Sequence, residues 1–255
     1  MSSTCVSTYV IYTLIFTINI LTYQTQASKL PKTWKTCRIS DPNMKACLKD
    51  AIEDAVHDLA NGNPSLGILP MDPLHFNKIS IDQGSGPVSI KLDLIDLDVI
   101  GIKNVKLTTI KKFDWKEGEL EGIVPGKLVL DGKYKIDGKV LVLPIKGDGH
   151  CRITADNFKM EVKAKVKNVD KKGKVHYEIT VFDFDFTVDK LHFQFDNLFN
   201  GDKALGDNMN VFLNENWKEI ITELKPAIVQ AFGTAFRNIG NIVFSKVPAD
   251  QISPP

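Results

Sequence analysis

DNMNVFLNENWKEIITELKPAIVQAFGTAFRNIGNIVF, residues 207–244, is the stretch on which the reading of the fold turns. Apolar or small residues recur at Met209, Leu213, Trp217, Ile220, Leu224, Ile228, Ala231, Ala235, Ile239 and Ile242, always three or four apart, so one helical face is sustained throughout. A second apolar set, Phe212, Ile221, Val229, Phe232, Phe236 and Val243, widens the stripe beyond what a surface helix needs. The spacing predicts one long helix covered over most of its circumference. Such a helix would span roughly 55 Å, so its cover has to be an elongated, curved sheet or a partner surface. Pro226 removes one backbone donor and is expected to bend the helix without ending it, because the period stays in phase on both sides.

Upstream, from about Phe76 to Phe195, the period changes from 3.6 to 2. Val88, Ile90, Leu92 and Leu94 alternate with polar neighbours, as do Phe182, Phe184, Phe186 and Val188. The run from Tyr134 to Val142 reads as a hairpin with its tight turn at Asp137-Gly138, and a second turn is expected at Asp170-Lys171-Lys172-Gly173. Gly147-Asp148-Gly149 suggests a bulge or bend that lets the sheet curl. Alternation puts one face on a core and the other in water, which suits an antiparallel sheet with a single apolar lining.

Ahead of the strands, Asp41 is a candidate N-cap and Pro42 suits the first helical position. Met44, Leu48, Ala51, Ile52, Ala55 and Leu59 follow at helical spacing until Asn61-Gly62 ends the helix, and Pro64 to Phe76 reads as an irregular apolar link. The fold class is therefore α+β: a long C-terminal helix wrapped by a strongly curved antiparallel β-sheet, with a short N-terminal helix.

Residues 1–27 carry no Asp, Glu, Lys or Arg and hold an apolar core from about Val10 to Leu21. That core falls short of the roughly 20 apolar residues a membrane span needs, and the small residues Ala27 and Ser28 follow it. Residues 1–27 are thus expected to be a secretory signal, leaving 28–255 as a single domain of an extracellular protein. Cysteine usage agrees with export. Cys5 leaves with the signal, a Cys37–Cys47 bridge would close a loop of about ten residues worth about 2 to 3 kcal/mol, and Cys151 reads as a buried small hydrophobe. The formal net charge of +1 argues against a nucleic-acid partner.

The usual marks of catalysis are missing. There is no GxSxG elbow, and Ser85 in Gly84-Ser85-Gly86 reads as a turn residue. Asp93, Asp96 and Asp98, and the aspartates of Phe182–Phe186, alternate with apolar residues and so occupy a wet face. Gly147-Asp148-Gly149 lacks the third glycine and following helix of a dinucleotide loop. His57, His75, His150, His176 and His192 share no ligand spacing, so surface or single hydrogen-bonding roles are expected. Lys159, Lys163, Lys165 and Lys167 read as a solvated face, with an anionic membrane patch left open. No catalytic residue, metal or cofactor is expected.

Several segments carry a resemblance to a known family. CRISDPNMKACLKDAI (37–52), GILPMDPLHFNKISI (67–81), DGKYKIDGKVLVLPIKGDGHCRIT (131–154) and the tail from Gly201 to Pro254 resemble the takeout and juvenile-hormone-binding family of insect secreted proteins, within the tubular lipid-binding superfamily. The tail, with its final prolines, is similar to takeout. Cys151 has no evident partner, which departs from the two-disulfide pattern of the hormone-binding branch. The resemblance implies a helix-and-sheet tunnel for an apolar ligand, and haemolymph, feeding or circadian physiology.

A secreted monomeric carrier of a small terpenoid or fatty-acyl ligand is therefore expected, with transient membrane or receptor contact left open. The candidate ligand-contacting residues are Val56 and Leu59 on the first helix, Leu66, Ile68, Leu69 and Leu74 at the mouth, Phe76, Trp115 and Leu141 from the sheet, and Phe212, Trp217, Ile220 and Phe232 from the long helix. The alternative is an interaction or signalling factor whose core is filled by its own side chains.

Overall fold

Two strands, β4 (Glu117–Val140) and β5 (Leu143–Lys171), run the length of the sheet, and the other elements attach to one half of them or the other. The computed structural model describes residues 29–255, so the expected signal segment and Cys5 lie outside the described residues. All pairing is antiparallel, in the order β1-β2-β4-β5-β6, with β3 also on β4 and β7 also on β5. β1 (Leu74–Gln83) and β2 (Val88–Ile100) pair toward residues 129–140 of β4, and β7 (Lys190–Phe195) pairs with residues 151–156 of β5. β3 (Lys106–Phe113) pairs with residues 118–123 of β4, and β6 (Lys174–Thr187) with residues 159–171 of β5. The sheet thus has a β1-β2-β7 half and a β3-β6 half, joined through its two long strands.

Alternation places the core as expected. Val88, Ile90, Leu92 and Leu94 are all buried. A register shift between Ile95 and Asp98 then inserts an extra residue, so that Leu97 and Val99 continue on the inner face with the phase reversed. A second shift, between Val124 and Lys127, lies where β4 passes from one half to the other, and Gly126 N there donates to Asn157 Oδ1 at 3.1 Å.

The hairpin expected at Asp137-Gly138 is not there. β4 runs straight through these residues, pairing Asp137 with Lys91 on one side and Lys146 on the other, and the turn comes at Leu141-Val142. Pairing on both sides of the strand overrides the local turn preference of Asp-Gly. The β5–β6 turn is found at Lys172-Gly173, both left-handed, as the sequence suggests. Gly147-Asp148-Gly149 forms no bulge. Its glycines sit in regular pairing, and a Cβ on Gly149 would lie 2.6 Å from the Asp196 carbonyl oxygen, so the missing side chains let the chain after β7 cross at van der Waals distance.

The first helix, α1 (Met44–Asp58), begins later than Asp41-Pro42 suggests. Asp41 Oδ1 instead accepts from Asn43 N at 2.7 Å, capping a turn that precedes the helix, and a 3₁₀ turn at Leu59–Asn61 ends it before Gly62. The long C-terminal run is two helices rather than one, α2 (Lys203–Glu215) and α3 (Trp217–Lys246), followed by a short α4 (Ala249–Ile252). Asn216 makes the break: its Nδ2 donates to the Phe212 carbonyl at 2.8 Å, and its backbone leaves the helical region at φ −105°, ψ 19°. The apolar face continues across the break from Met209 and Leu213 to Ile220 and Leu224, and α3 passes through Pro226 without ending.

α3 lies in the concave face, mostly along β6. Its buried Gly233 would place a Cβ 3.4 Å from the Phe182 carbonyl oxygen, so only a small residue lets helix and strand approach this closely. Three asparagines then close strand edges from the helices. Asn210 and Asn214 on α2 each accept from and donate to the backbone of β7, at Phe195 and Phe193, and Asn241 on α3 does the same at Ile179 of β6.

The arm before α1 is held by the Cys37–Cys47 disulfide, with the Cα atoms 5.8 Å apart. It also meets the C-terminal tail, where Leu30 N donates to Gln251 Oε1 at 3.1 Å and Ile39 N to the Pro254 carbonyl at 2.9 Å.

Candidate functional site

The helices do not fill the trough of the sheet. A cavity of about 690 Å³ remains, walled by the concave face, α3, the inner face of α1 and the arm pinned by the disulfide. Its wall is overwhelmingly hydrocarbon. From the sheet come Leu120, Phe158, Met160 and the row Phe182, Phe184, Phe186; from α1 come Ala51, Ile52, Ala55 and Val56; from α3 come Ile220, Leu224, Ile228, Phe232, Phe236 and Ile239. Strand alternation puts the three β6 phenylalanines inward while Asp183 and Asp185 face water. Phe158 stacks on Phe186 with centroids 5.2 Å apart, and Phe236 meets Phe184 edge-on at 5.6 Å.

Charge enters the wall only at Lys35, Lys112, Glu117 and Glu119 among the described residues, all toward α1 and the β3–β4 turn. Each is matched. Lys35 bonds Asp50 at 2.6 Å, Lys112 bonds Glu117, and Glu119 lies 3.6 Å from Lys111 and 3.9 Å from Lys163. The hydrogen bond from Lys35 holds the Asp50 carboxyl below its ordinary range, and that to Glu117 holds the Lys112 ammonium above its own. Aromatic rings cross this same end. Trp115, left-handed in the β3–β4 turn, meets Phe113 edge-on at 4.8 Å and stacks on Tyr177 at 6.0 Å; Tyr177 in turn meets Phe244 of α3, and its hydroxyl shares a 2.6 Å hydrogen bond with Ser253.

Of the residues expected to touch a ligand, Val56, Leu59, Trp115, Ile220 and Phe232 line the cavity. The others lie outside its wall, for identifiable reasons. Phe76 sits behind the wall, edge-on to Phe232 at 5.9 Å, and Leu74 is plain core. Leu66 and Ile68 are buried in a separate cluster with Leu59 and Val247, which seats the link, while Leu69 is 76% exposed. Leu141 belongs to the β4–β5 turn, and Phe212 and Trp217 pack around the α2–α3 junction. Periodicity identified an apolar face but could not separate ring against ring from ring against space. The β6 phenylalanines were legible in the alternation of Phe182 to Phe186; Phe158, Met160 and the α1 alanines carried no comparable mark.

The polar residues singled out in the sequence are placed elsewhere. Asp93, Asp96 and Asp98 lie on the outer face, bonded to Ser80 and Lys78, to Lys133 and to His75. His176 is buried, with Nδ1 3.0 Å from the Phe244 carbonyl. Cys151 is buried and free, and burial pushes its thiol up to about 12, far from a reactive thiolate. No group of three His, Cys, Asp or Glu among the described residues is placed to hold a metal ion. A second groove, of about 740 Å³ between β7 and α2, is more open and has a mixed wall, with His192, Asp202 and Asn214 beside Phe193, Phe195 and Leu198.

Comparison with known proteins agrees with this geometry. The family model for the haemolymph juvenile hormone binding protein (JHBP) matches residues 12–254. The circadian clock-controlled protein daywake of Drosophila melanogaster is 27% identical over 233 residues, 87% of each chain. A putative beta-carotene-binding protein of Schistocerca gregaria is 22% identical over 230 residues, 86% of this chain and 88% of that one. The crystal structure of Epiphyas postvittana Takeout 1 superposes with a TM-score of 0.72 at 27% identity, covering 87% of this chain and all of the other. A curved sheet around a C-terminal helix, an apolar cavity between them and a family match spanning nearly the whole sequence agree on one assignment: the chain belongs to the takeout and juvenile hormone binding protein family, a family of lipophilic-ligand binders.

Proposed function

We propose that this chain is a secreted carrier that holds one small lipophilic ligand, an extended terpenoid or a fatty-acyl chain, in the internal cavity without changing it chemically. The observation that carries the reading is the cavity of about 690 Å³ with its almost wholly apolar wall. Its size falls within the range of about 300–1,000 Å³ usual for small-molecule sites. An apolar ligand burying about 400 Å² gains about 10 kcal/mol from leaving water. Association and ordering consume part of that, which leaves room for micromolar to nanomolar affinity. The hydrocarbon wall selects a hydrocarbon body, and any polar head is expected at the Lys35–Lys112–Trp115 end, where the wall is charged. The Cys37–Cys47 bridge and the apolar leading segment support export, and the carotenoid-binding name of the Schistocerca relative supports an elongated apolar ligand.

Displacement of a fluorescent fatty-acid probe from delipidated, oxidised protein tests this. Saturable one-site binding, displaced by juvenile hormone or by long-chain fatty acids, is expected, and the order of competitors names the ligand class. Absence of probe binding by a protein shown to be folded would overturn the carrier reading in favour of an interaction or signalling factor.

A further inference from the structure

We infer that the β4–β5 turn is a membrane-docking tip, fitted to a phospholipid bilayer that carries anionic headgroups. Val142 is 82% exposed, its neighbour Leu143 37%, and Pro144 beside them is exposed too. Among the described residues Val142 and Leu143 are the one adjacent pair of exposed large apolar side chains. The turn is not slack chain. Val140 pairs with Leu143 across it, and Leu141 is held left-handed at φ 55°, a conformation leucine seldom adopts, which leaves Val142 at the apex.

Charge is layered behind the apolar apex. The first charged residue met going back along either strand is a lysine, Lys139 on β4 and Lys146 on β5; the first carboxylate, Asp137, lies further back. Lys146 and Asp137 are 3.9 Å apart, a loose pair, and Lys91, on β2 between Asp137 of β4 and Asp82 of β1, has no ion-pair partner among the described residues; nor has Lys139. At the rise of a β-strand, Lys139, one step behind the Val140–Leu143 pair, sits roughly 7 Å behind the apex, and Lys146 and Lys91 roughly 13 Å behind it. An apolar group at a bilayer surface reaches a depth of about 5–10 Å, which sets Lys139 at the phosphate level and the other two just outside it. An apolar end followed by cations is the order in which a bilayer presents acyl chain and anionic headgroup. The β5–β6 turn, at the other end of β5, is a built-in comparison: Lys171, Lys172 and Lys174 make it more basic, but no apolar pair projects from it.

Co-sedimentation of the full chain with phosphatidylcholine vesicles, with and without phosphatidylserine, tests the proposal. The wild type is expected to sediment with the phosphatidylserine vesicles and to be released by salt. Val142→Glu, an exposed site whose change leaves the fold intact, should weaken this about tenfold or more. Lys139→Ala should weaken it about fivefold, on anionic vesicles only, and Lys174→Ala should leave it unchanged. Wild type that ignores both vesicles, Val142→Glu that binds as wild type does, or binding lost through Lys174 instead would overturn the proposal. Sedimentation reads docking and not cavity occupancy, so failure here leaves probe displacement as an independent result, and the converse holds.

Discussion

The two halves of the sheet both line the cavity, with inner faces of similar composition and different openness. In the β1-β2-β7 half, Leu94, Ile136, Val140 and Ile145 border the cavity yet are almost fully buried, and Tyr134 is buried in the same core cluster. In the β3-β6 half, Leu120, Phe158, Met160, Ala164 and Val166 border it too but are only half-buried. One half is the close-packed part of the wall and the other its open part. The difference teaches that the room inside the sheet is set by how closely the side chains of its wall meet.

That contrast can be broken by mutation, and the largest expected effect is on stability in the β1-β2-β7 half. Leu94→Ala should cost about 3 to 4 kcal/mol, measured by urea denaturation, since nearly all of its side chain is enclosed, whereas Leu120→Ala should cost about 1 to 2 because part of its surface is already open. Near-equal losses would mean that the two halves are packed alike. Ala155 and Ala164 sharpen the test further, both inward on β5 and both on the cavity wall, but one 3% exposed and the other half-buried. Ala155→Trp should overpack and cost about 1 to 3 kcal/mol. Ala164→Trp should cost little stability and instead displace the fatty-acid probe, raising its Kd at least tenfold.

Hydroxyls give a smaller effect. The buried Tyr134 donates to the Asp196 carbonyl at 2.7 Å, so Tyr134→Phe should cost about 1 to 1.5 kcal/mol through loss of that hydrogen bond. Tyr177→Phe, at the half-buried aromatic end, should cost roughly half as much, about 0.5 kcal/mol, while changing probe on- and off-rates. The smallest effect is on the wet face. Hydrogen bonds from Ser80 and Lys78 hold the Asp93 carboxyl below its ordinary range, and Lys111 does the same for Glu161. A carboxylate depressed on folding contributes stability above its unfolded value of about 4 and loses it as pH falls through the folded one. The melting temperature should therefore fall as pH drops below about 4, and Asp93→Asn should flatten that slope slightly.

Much of this architecture was legible. The change of period at Phe195, the alternation of Val88 to Leu94, the Lys172-Gly173 turn and the Cys37–Cys47 pair all speak locally, through spacing or backbone preference. The errors arose where a distant partner outvoted a local signal. Asp137-Gly138 looked like a turn until β2 paired with it, and Asn216 looked like one polar residue among others on a helix until its amide took the Phe212 carbonyl. The site was less legible still. Leu74 and Phe158 both face inward, and only the three-dimensional neighbours decide that one meets side chains and the other meets space.

Asn210, Asn214 and Asn241 have a consequence for molecules in number. A side-chain amide copies the donor and acceptor of a peptide unit, so these helix residues stand in for a neighbouring strand and occupy backbone groups of β7 and β6 that would otherwise invite another chain. Each closure spends one residue where an added strand would spend five or six. Copies of the chain that meet are thereby kept from pairing edge to edge, and the protection travels with the helices rather than with the sheet.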